Sequence, residues 1–293
     1  MFSLAFLQIN FDMTTICICG AGTMGSGIAQ VSASSGIKTI LYDVNPEMIV
    51  KAKDRLQNDL EKLVVKQKIN TEKKEDILRL IMFTSDISHC RADIIIEAIV
   101  EKPEIKASLF NELASLNGEH TIFASNTSSL SISSIASEVI HPERLAGLHF
   151  FNPAPIMKLV EVVKGNQTSD EVMDALVQLT KQLGKTPVVC IDSPGFIVNR
   201  IARPYYIESL RLVEEGTSDF ETIDRLLENV GFKMGPFKLM DLIGNDVNYA
   251  VSCSVYEQLN KPERLKPSYI QKEKVEKGEL GKKSGKGYYP LYH

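Results

Sequence analysis

A strand–turn–helix signature near the start of the chain restricts the fold more than any other feature. Gly20-Ala21-Gly22-Thr23-Met24-Gly25 follows a short β-rich run, residues 15–19, and opens a helical stretch at 24–35. In that setting each glycine has its own task. Gly20 permits a tight turn, Gly22 lets the backbone approach a pyrophosphate, and Gly25 lets helix and strand pack closely. Thr23 and Met24 complete the turn, where the helix N-terminus offers unbonded N–H groups and partial positive charge to phosphates. A second strand, 39–42, runs into Asp43, 23 residues after Gly20. A carboxylate there accepts hydrogen bonds from the adenine ribose hydroxyls and repels a 2′-phosphate. Val44 and Asn45 follow it, with no arginine. The pattern implies a dinucleotide site that prefers NAD to NADP.

Further strands are expected at 93–97, 121–124, 145–150 and 158–163, with helices at 46–67 and 103–115 among them. Alternating strands and helices imply parallel strands joined by right-handed crossovers, a Rossmann-type doubly wound α/β sheet. Residues 46–81 stand apart: a long charged helix, a break at Ile69-Asn70, and a second helix from Thr71. They read as a helical hairpin arm projecting from the sheet, its mixed Lys and Glu residues forming a solvated surface. After Ile191 the pattern changes. Asp192-Ser193-Pro194-Gly195 punctuates the chain, and helices are expected at 196–215, 219–229, 236–242 and 246–259. A basic tail from Lys261 ends in a Gly-rich turn, 281–287. At 293 residues the chain exceeds what one core usually serves. The expected domains are a dinucleotide-binding domain over 13–192 and an all-helical substrate and dimerisation domain over 193–293.

Composition excludes several classes. A net charge of −4 gives no basic face for nucleic acid. No apolar run approaches the roughly 20 residues that span a bilayer. Residues 1–12 are apolar but carry no Lys or Arg; the first basic residue is Lys38. Neither a secretory signal nor a transit peptide fits, so the segment reads as a disordered leader, with Met13 as an alternative start and a cytoplasmic location. Five scattered cysteines, Cys17, Cys19, Cys90, Cys190 and Cys253, argue against a disulfide framework. With no second Cys or His pair at finger-like spacing, no metal site is expected, and the cysteines read as buried small hydrophobes.

A nicotinamide enzyme acting on an alcohol needs a base, a group that fixes the base, and donors around the oxygen. His89, His120, His141 and His293 lie in polar turns or at the terminus. His149 ends an apolar strand and opens His149-Phe150-Phe151-Asn152-Pro153. Strand ends at that edge of an open α/β sheet are where ligands bind. Glu161 lies in the next strand and reaches His149 if 158–163 pairs antiparallel to 145–150. A carboxylate beside imidazole fixes its tautomer. On the residues alone, a buried structural histidine and an ordinary strand glutamate remain the more economical readings.

As a set, the motifs resemble the L-3-hydroxyacyl-CoA dehydrogenase family, including 3-hydroxybutyryl-CoA dehydrogenases. The matching segments are Gly20–Gly25, Glu97-Ala98-Ile99-Val100-Glu101, Ser125-Asn126-Thr127-Ser128-Ser129-Leu130, Gly147–Pro153, Lys158–Val162, Asp192–Arg200, Met234-Gly235-Pro236-Phe237 and Gly281–Tyr288. The resemblance implies reversible, NAD-dependent oxidation of an (S)-3-hydroxyacyl-CoA in fatty acid metabolism. It implies His149 as general base, Glu161 as its orienter, and Ser128 and Asn199 as donors around the 3-oxygen. Asp43, Ala98, Glu101, Lys106, Asn126, Ser128, Asn152 and Lys283 would join the glycines around NAD. Lys66, on the arm, matches a position that contacts CoA, as Ser128 would contact the substrate; the arm is shorter than in some relatives, which weakens that match. Phe196, Leu210, Phe237 and Leu239 would cover the acyl chain or simply form a core. A homodimer through the helical domain is also implied, and short-chain substrates by analogy.

Three rivals remain at this level. One is a dehydrogenase of a free 3-hydroxy acid on the same scaffold. A second uses a lysine base in its central helix, against which the His149–Glu161 pair and the lack of a lysine at the Asn199 junction argue. The third is a non-catalytic NAD-binding protein, which has no need of a proton-transfer dyad.

Overall fold

The computed structural model describes residues 14–290. The expected leader, the alternative start at Met13 and His293 lie outside the described residues. The chain divides into two compact units at the Asp192–Ser193 bond.

The first unit is one eight-stranded sheet flanked by helices. Its strands are β1 (Thr15–Cys19), β2 (Lys38–Tyr42), β3 (Ile81–Thr84), β4 (Ile94–Glu97), β5 (Ile122–Ser125), β6 (Leu145–Phe150), β7 (Leu159–Lys164) and β8 (Thr186–Ile191). They lie in the order β3-β2-β1-β4-β5-β6-β7-β8. All neighbours are parallel except β6 and β7. The winding reverses on either side of β1, so the switch point falls between the C-terminal ends of β1 and β4, where such sheets bind ligands. Strands β1, β4, β5 and β6 are almost entirely buried. That is why they read as continuous apolar runs rather than alternating ones.

The sequence reading lacked β3, β8 and the helix α6 (Asp170–Gln182) between β7 and β8. Strand β3 is four residues long and follows a helix directly. Strand β8 carries Pro187 and exposes Val189 and Ile191, as an edge strand can. The other helices of this unit are α1 (Thr23–Ser34), α2 (Pro46–Val65), α3 (Thr71–Arg79), α4 (Pro103–Leu116) and α5 (Ile132–Ala136).

Helices α2 and α3 form the expected hairpin. Asn45 caps α2 by accepting from the Glu47 N–H at 3.0 Å, and Pro46 occupies its first turn. Gln67 takes a left-handed conformation (φ 54°), and Asn70 caps α3 by accepting from the Lys73 N–H at 2.8 Å. The hairpin lies along the domain rather than standing clear of it. Ala52, Leu56 and Leu60, spaced at helical intervals, join Ile77 in the core with Ile28 and Leu41.

The second unit holds α7 (Val198–Glu214), α8 (Phe220–Asn229), α9 (Pro236–Ile243), α10 (Asn245–Gln258) and α11 (Tyr269–Glu276). The sequence reading placed only a tail where α11 forms. Leu210 and Phe237 are fully buried in this unit's own core, with Tyr206, Ile223, Met240 and Tyr288. They are core residues here, not an exposed acyl-facing surface. The Gly-rich tail packs on α9: a Cβ at Gly287 would lie 1.9 Å from Asp241 Oδ1, and one at Gly281 would lie 2.2 Å from the Asp241 carbonyl oxygen. No helix among the described residues is long and apolar enough to cross a membrane.

Because the hairpin contributes to the core, Leu60→Ala is expected to cost about 2–5 kcal/mol in urea unfolding, the range for a buried Leu truncation. Lys53→Ala, on an exposed position of α2, changes stability little. Equal, negligible effects would mean that the hairpin does not support the sheet.

Candidate active site

The turn after β1 is built around two steric constraints and one opening. Gly20 has φ +105°, and a Cβ on it would lie 2.5 Å from the Ala98 carbonyl oxygen. A Cβ on Gly25 would lie 1.7 Å from the Gly20 carbonyl oxygen. Both glycines are therefore fixed by the protein itself. Gly22, the N-cap of α1, is different: no protein atom lies within 4 Å of where its Cβ would be. The space at Gly22 is open to a group from outside the chain. The α1 N-terminus has no side-chain cap and no acidic residue in its first turn. Its positive end is thus not offset by any acid of its own first turn and suits a pyrophosphate. Thr23 is exposed, and Met24 packs partly against the core.

Asp43 follows β2 and is held by backbone on both sides. Its Oδ2 accepts from the Ala21 N–H at 2.8 Å and its Oδ1 from the Asn45 N–H at 3.0 Å. The carboxylate after β2 and the glycine turn after β1 are therefore one hydrogen-bonded assembly at the C-terminal edge of the sheet.

A buried ionic network ties the ends of β4 and β5 together. Glu97, fully buried, accepts from Lys106 Nζ at 2.6 Å, from the Ser125 hydroxyl at 2.7 Å and from the Ile99 N–H at 2.7 Å. Burial raises its carboxyl above the ordinary value, against the lowering effect of Lys106. Lys106 also pairs with Glu101 at 2.8 Å. Glu101 in turn accepts from the Thr127 hydroxyl at 2.5 Å and the Ser128 N–H at 3.1 Å. Lys106 is only 1% exposed, and its pairing with Glu101 links it to the surface. The sequence reading gave Glu97 and Thr127 no role. The clue was available: an acid closing an all-Ile strand, with a lysine nine residues on, needs a buried partner. Asp192 was also passed over, although it fixes the loop after β5 by accepting from the Ser131 hydroxyl at 2.7 Å and the Ser133 N–H at 2.8 Å.

The histidine sits on the neighbouring strand. Strands β6 and β7 pair antiparallel with His149 directly opposite Glu161. His149 Nδ1 lies 2.7 Å from Glu161 Oε2, with His149 5% exposed and Glu161 fully buried. Phe151 packs on the imidazole at a centroid distance of 4.4 Å. With Nδ1–H donated to the carboxylate, a neutral ring carries its lone pair on Nε2, the atom that can take a proton. Asn126 connects the two strand ends: its N–H donates to the Glu97 carbonyl at 2.8 Å, and its Oδ1 accepts from the Phe150 N–H at 2.8 Å. Strands β5 and β6 are parallel with Ser125 opposite Gly147. The loop after β5 that carries Ser128 and the end of β6 that carries His149 therefore lie at the same edge of the sheet.

The remaining candidates are placed as follows. Ala98, the residue after β4, donates its N–H to the Cys19 carbonyl and is half-buried. Asn152 is exposed beyond β6, and Lys66 is exposed as the C-cap of α2. Asn199 and Lys283 belong to the second unit. Asn199 is the second residue of α7, and Lys283 Nζ pairs with Asp246 at 2.5 Å.

Comparison with known proteins gives the family. A family model described as "3-hydroxyacyl-CoA dehydrogenase, NAD binding domain" matches residues 15–193, and the C-terminal domain of the same family matches residues 195–291. The chain is 48% identical over 280 residues to the 3-hydroxyadipyl-CoA dehydrogenase of Escherichia coli K12. That match covers 95% of this chain but 59% of the relative, so the chain spans about three-fifths of that protein's length. It is 41% identical over 282 residues to the mitochondrial hydroxyacyl-coenzyme A dehydrogenase of Sus scrofa, covering 94% of this chain and 90% of the relative. The crystal structure of (S)-3-hydroxybutyryl-CoA dehydrogenase from Ralstonia eutropha superposes with a TM-score of 0.91 at 36% identity, covering 96% of this chain and 100% of that one. The cofactor of the matched first domain is NAD. With both of its units matched, the chain belongs to the 3-hydroxyacyl-CoA dehydrogenase family.

Proposed function

We propose that the chain oxidises the 3-hydroxyl of a short-chain (S)-3-hydroxyacyl-CoA with NAD, reversibly, and that His149 moves the proton. The observation that carries this reading is the buried His149–Glu161 hydrogen bond at the ligand-binding edge of a dinucleotide fold. NAD, when bound, supplies the hydride-accepting chemistry. The glycine turn and the α1 N-terminus hold its pyrophosphate, and Asp43 holds its adenine ribose. His149 Nε2 takes the hydroxyl proton, and Glu161 stabilises the imidazolium that results. Ser128 serves as a donor to the oxygen as it becomes a carbonyl, and the family resemblance assigns Asn199 the same role. In the reverse direction the imidazolium returns the proton. Ala98, Glu101, Asn126, Asn152 and Lys283 are assigned to the NAD site, with Lys106 acting through Glu101. Lys66 and Ser128 are assigned to the acyl-CoA.

The short-chain preference rests on the chain's similarity to 3-hydroxybutyryl-CoA dehydrogenases. A homodimer through the helical unit belongs to the same reading. Leu226, Val230 and Phe232, in and just after α8, are each at least half exposed. Apolar side chains grouped in this way suit a protein interface.

His149→Ala is expected to lower kcat with acetoacetyl-CoA and NADH by about 10²–10⁴, or roughly 3–5 kcal/mol of barrier, with NADH binding retained. Near-normal turnover would remove His149 from the mechanism. Acetoacetate in place of acetoacetyl-CoA should be a poor substrate; equal rates would favour the free-acid rival. Asp43→Asn keeps an acceptor for the Ala21 N–H but removes the charge. It should shrink the NADH-over-NADPH preference by roughly 10-fold or more, and an unchanged ratio would take that role from Asp43. Light scattering should give a two-chain mass, reduced to one chain by Leu226→Glu with Val230→Glu; a monomeric parent protein contradicts the interface.

A further inference from the structure

Cys17, Cys19 and Cys90 meet in the interior, on the side of the sheet away from α1. All three are fully buried, and their Sγ atoms lie within 4.8 Å of one another. The Cys17 and Cys19 sulfurs are 3.9 Å apart. The two share one face of β1 because they are two residues apart, and Cys90 arrives from the β3–β4 connection. None of the three is needed by the chemistry proposed above.

The spacing is close to that of ligands around one small soft centre. Thiolates bound at about 2.3 Å place their sulfurs about 4 Å apart around a planar three-coordinate ion and about 3.4 Å apart around a pyramidal one, so the three sulfurs close in slightly on binding. Sulfur ligands of this kind select soft ions. Charge narrows the choice. On the sheet, Cys17 is flanked in register by Ile40 and Ile95, and Cys19 by Tyr42 and Glu97. The Glu97 carboxylate already has Lys106 as its counter-ion. An occupant that leaves net charge in such surroundings pays a heavy desolvation penalty. Three thiolates around a trivalent centre form a neutral complex; around a mono- or divalent ion they do not.

There is also an entry route. Cys90 follows the single 3₁₀ turn Ile87–His89 and lies between His89 and Arg91, both exposed. A one-turn helix opens at little cost.

We propose that Cys17, Cys19 and Cys90 form a three-thiolate binding site for a trivalent thiophilic centre, of which arsenic(III) is the representative. Uptake from arsenous acid, As(OH)₃, forms three S–As bonds and breaks three As–O bonds. The three thiol protons leave with the three hydroxides as water. No electrons are transferred and no oxidant is required.

The test uses the full chain, reduced with a phosphine and kept free of oxygen, with Cys190→Ser and Cys253→Ser so that only the cluster thiols remain. Arsenite titration followed by native mass spectrometry should give one arsenic per chain with the loss of three hydrogens. Zn²⁺ in the same titration should bind far more weakly. Cys17→Ser or Cys90→Ser should weaken arsenite binding by more than the roughly 10–100-fold that outer-shell changes cost at metal sites, while NADH binding stays near the parent's. X-ray absorption on the arsenic-loaded chain should show three sulfur neighbours and no oxygen, a readout that needs no serine variant to fold. No arsenite uptake, fewer than three sulfur neighbours, or unchanged binding in Cys90→Ser overturns the site.

Discussion

The hydrogen bond between His149 and Glu161 depends on a single reversal of direction in the sheet. Six strands run one way, and β7 turns back along β6 so that residue 161 faces residue 149. Strand side chains alternate faces, so a one-residue slip would carry the carboxylate to the opposite face and break its bond to the imidazole. Gly147, two residues before His149, helps to hold the register: a Cβ there would lie 2.7 Å from Val163 Cβ. Backbone pairing thus sets the side-chain dyad. Full burial of Glu161 adds a second lock, because an ionised carboxylate without water needs a partner.

The dinucleotide side follows the same logic. Gly20 and Gly25 are dictated by the turn's own atoms, whereas the space at Gly22 is left open, as the proposed pyrophosphate contact requires. The Glu97–Lys106–Glu101 network then holds the loop carrying Thr127 and Ser128. Asn126 bridges that loop to the strand bearing His149. Backbone and side-chain hydrogen bonds therefore connect the proposed cofactor residues to the proposed base within one unit, with no long flexible element between them.

Much of this was legible in the sequence where local chemistry is strict. The glycine turn, Asp43, the break at Ile69-Asn70 and the change of pattern after Ile191 each rest on a residue type with few alternatives. Strands β3 and β8 were missed because edge strands are short and tolerate residues that central strands exclude, as Pro187 shows. The helix α11 was missed because its charged residues mask a narrow buried face, reduced to Gln271. The pairing of His149 with Glu161 could be stated only conditionally, since periodicity does not give strand direction. The cysteine cluster was invisible for a related reason: Cys90 is distant in sequence from Cys17 and Cys19, and only the crossover through β2 and β3 brings it beneath β1. Leu210 and Phe237 show the converse, since an apolar residue in a helical unit belongs to the core unless geometry places it elsewhere.

The account stands on the tautomer that Glu161 imposes on His149. Nitrogen-15 correlation spectra of the imidazole report it directly. The predicted result is a proton on Nδ1 and a bare Nε2 in the resting protein, with that preference lost in Glu161→Gln. A resting ring protonated on Nε2, or a tautomer indifferent to the Gln substitution, would contradict the claim that this carboxylate prepares the histidine to accept a proton.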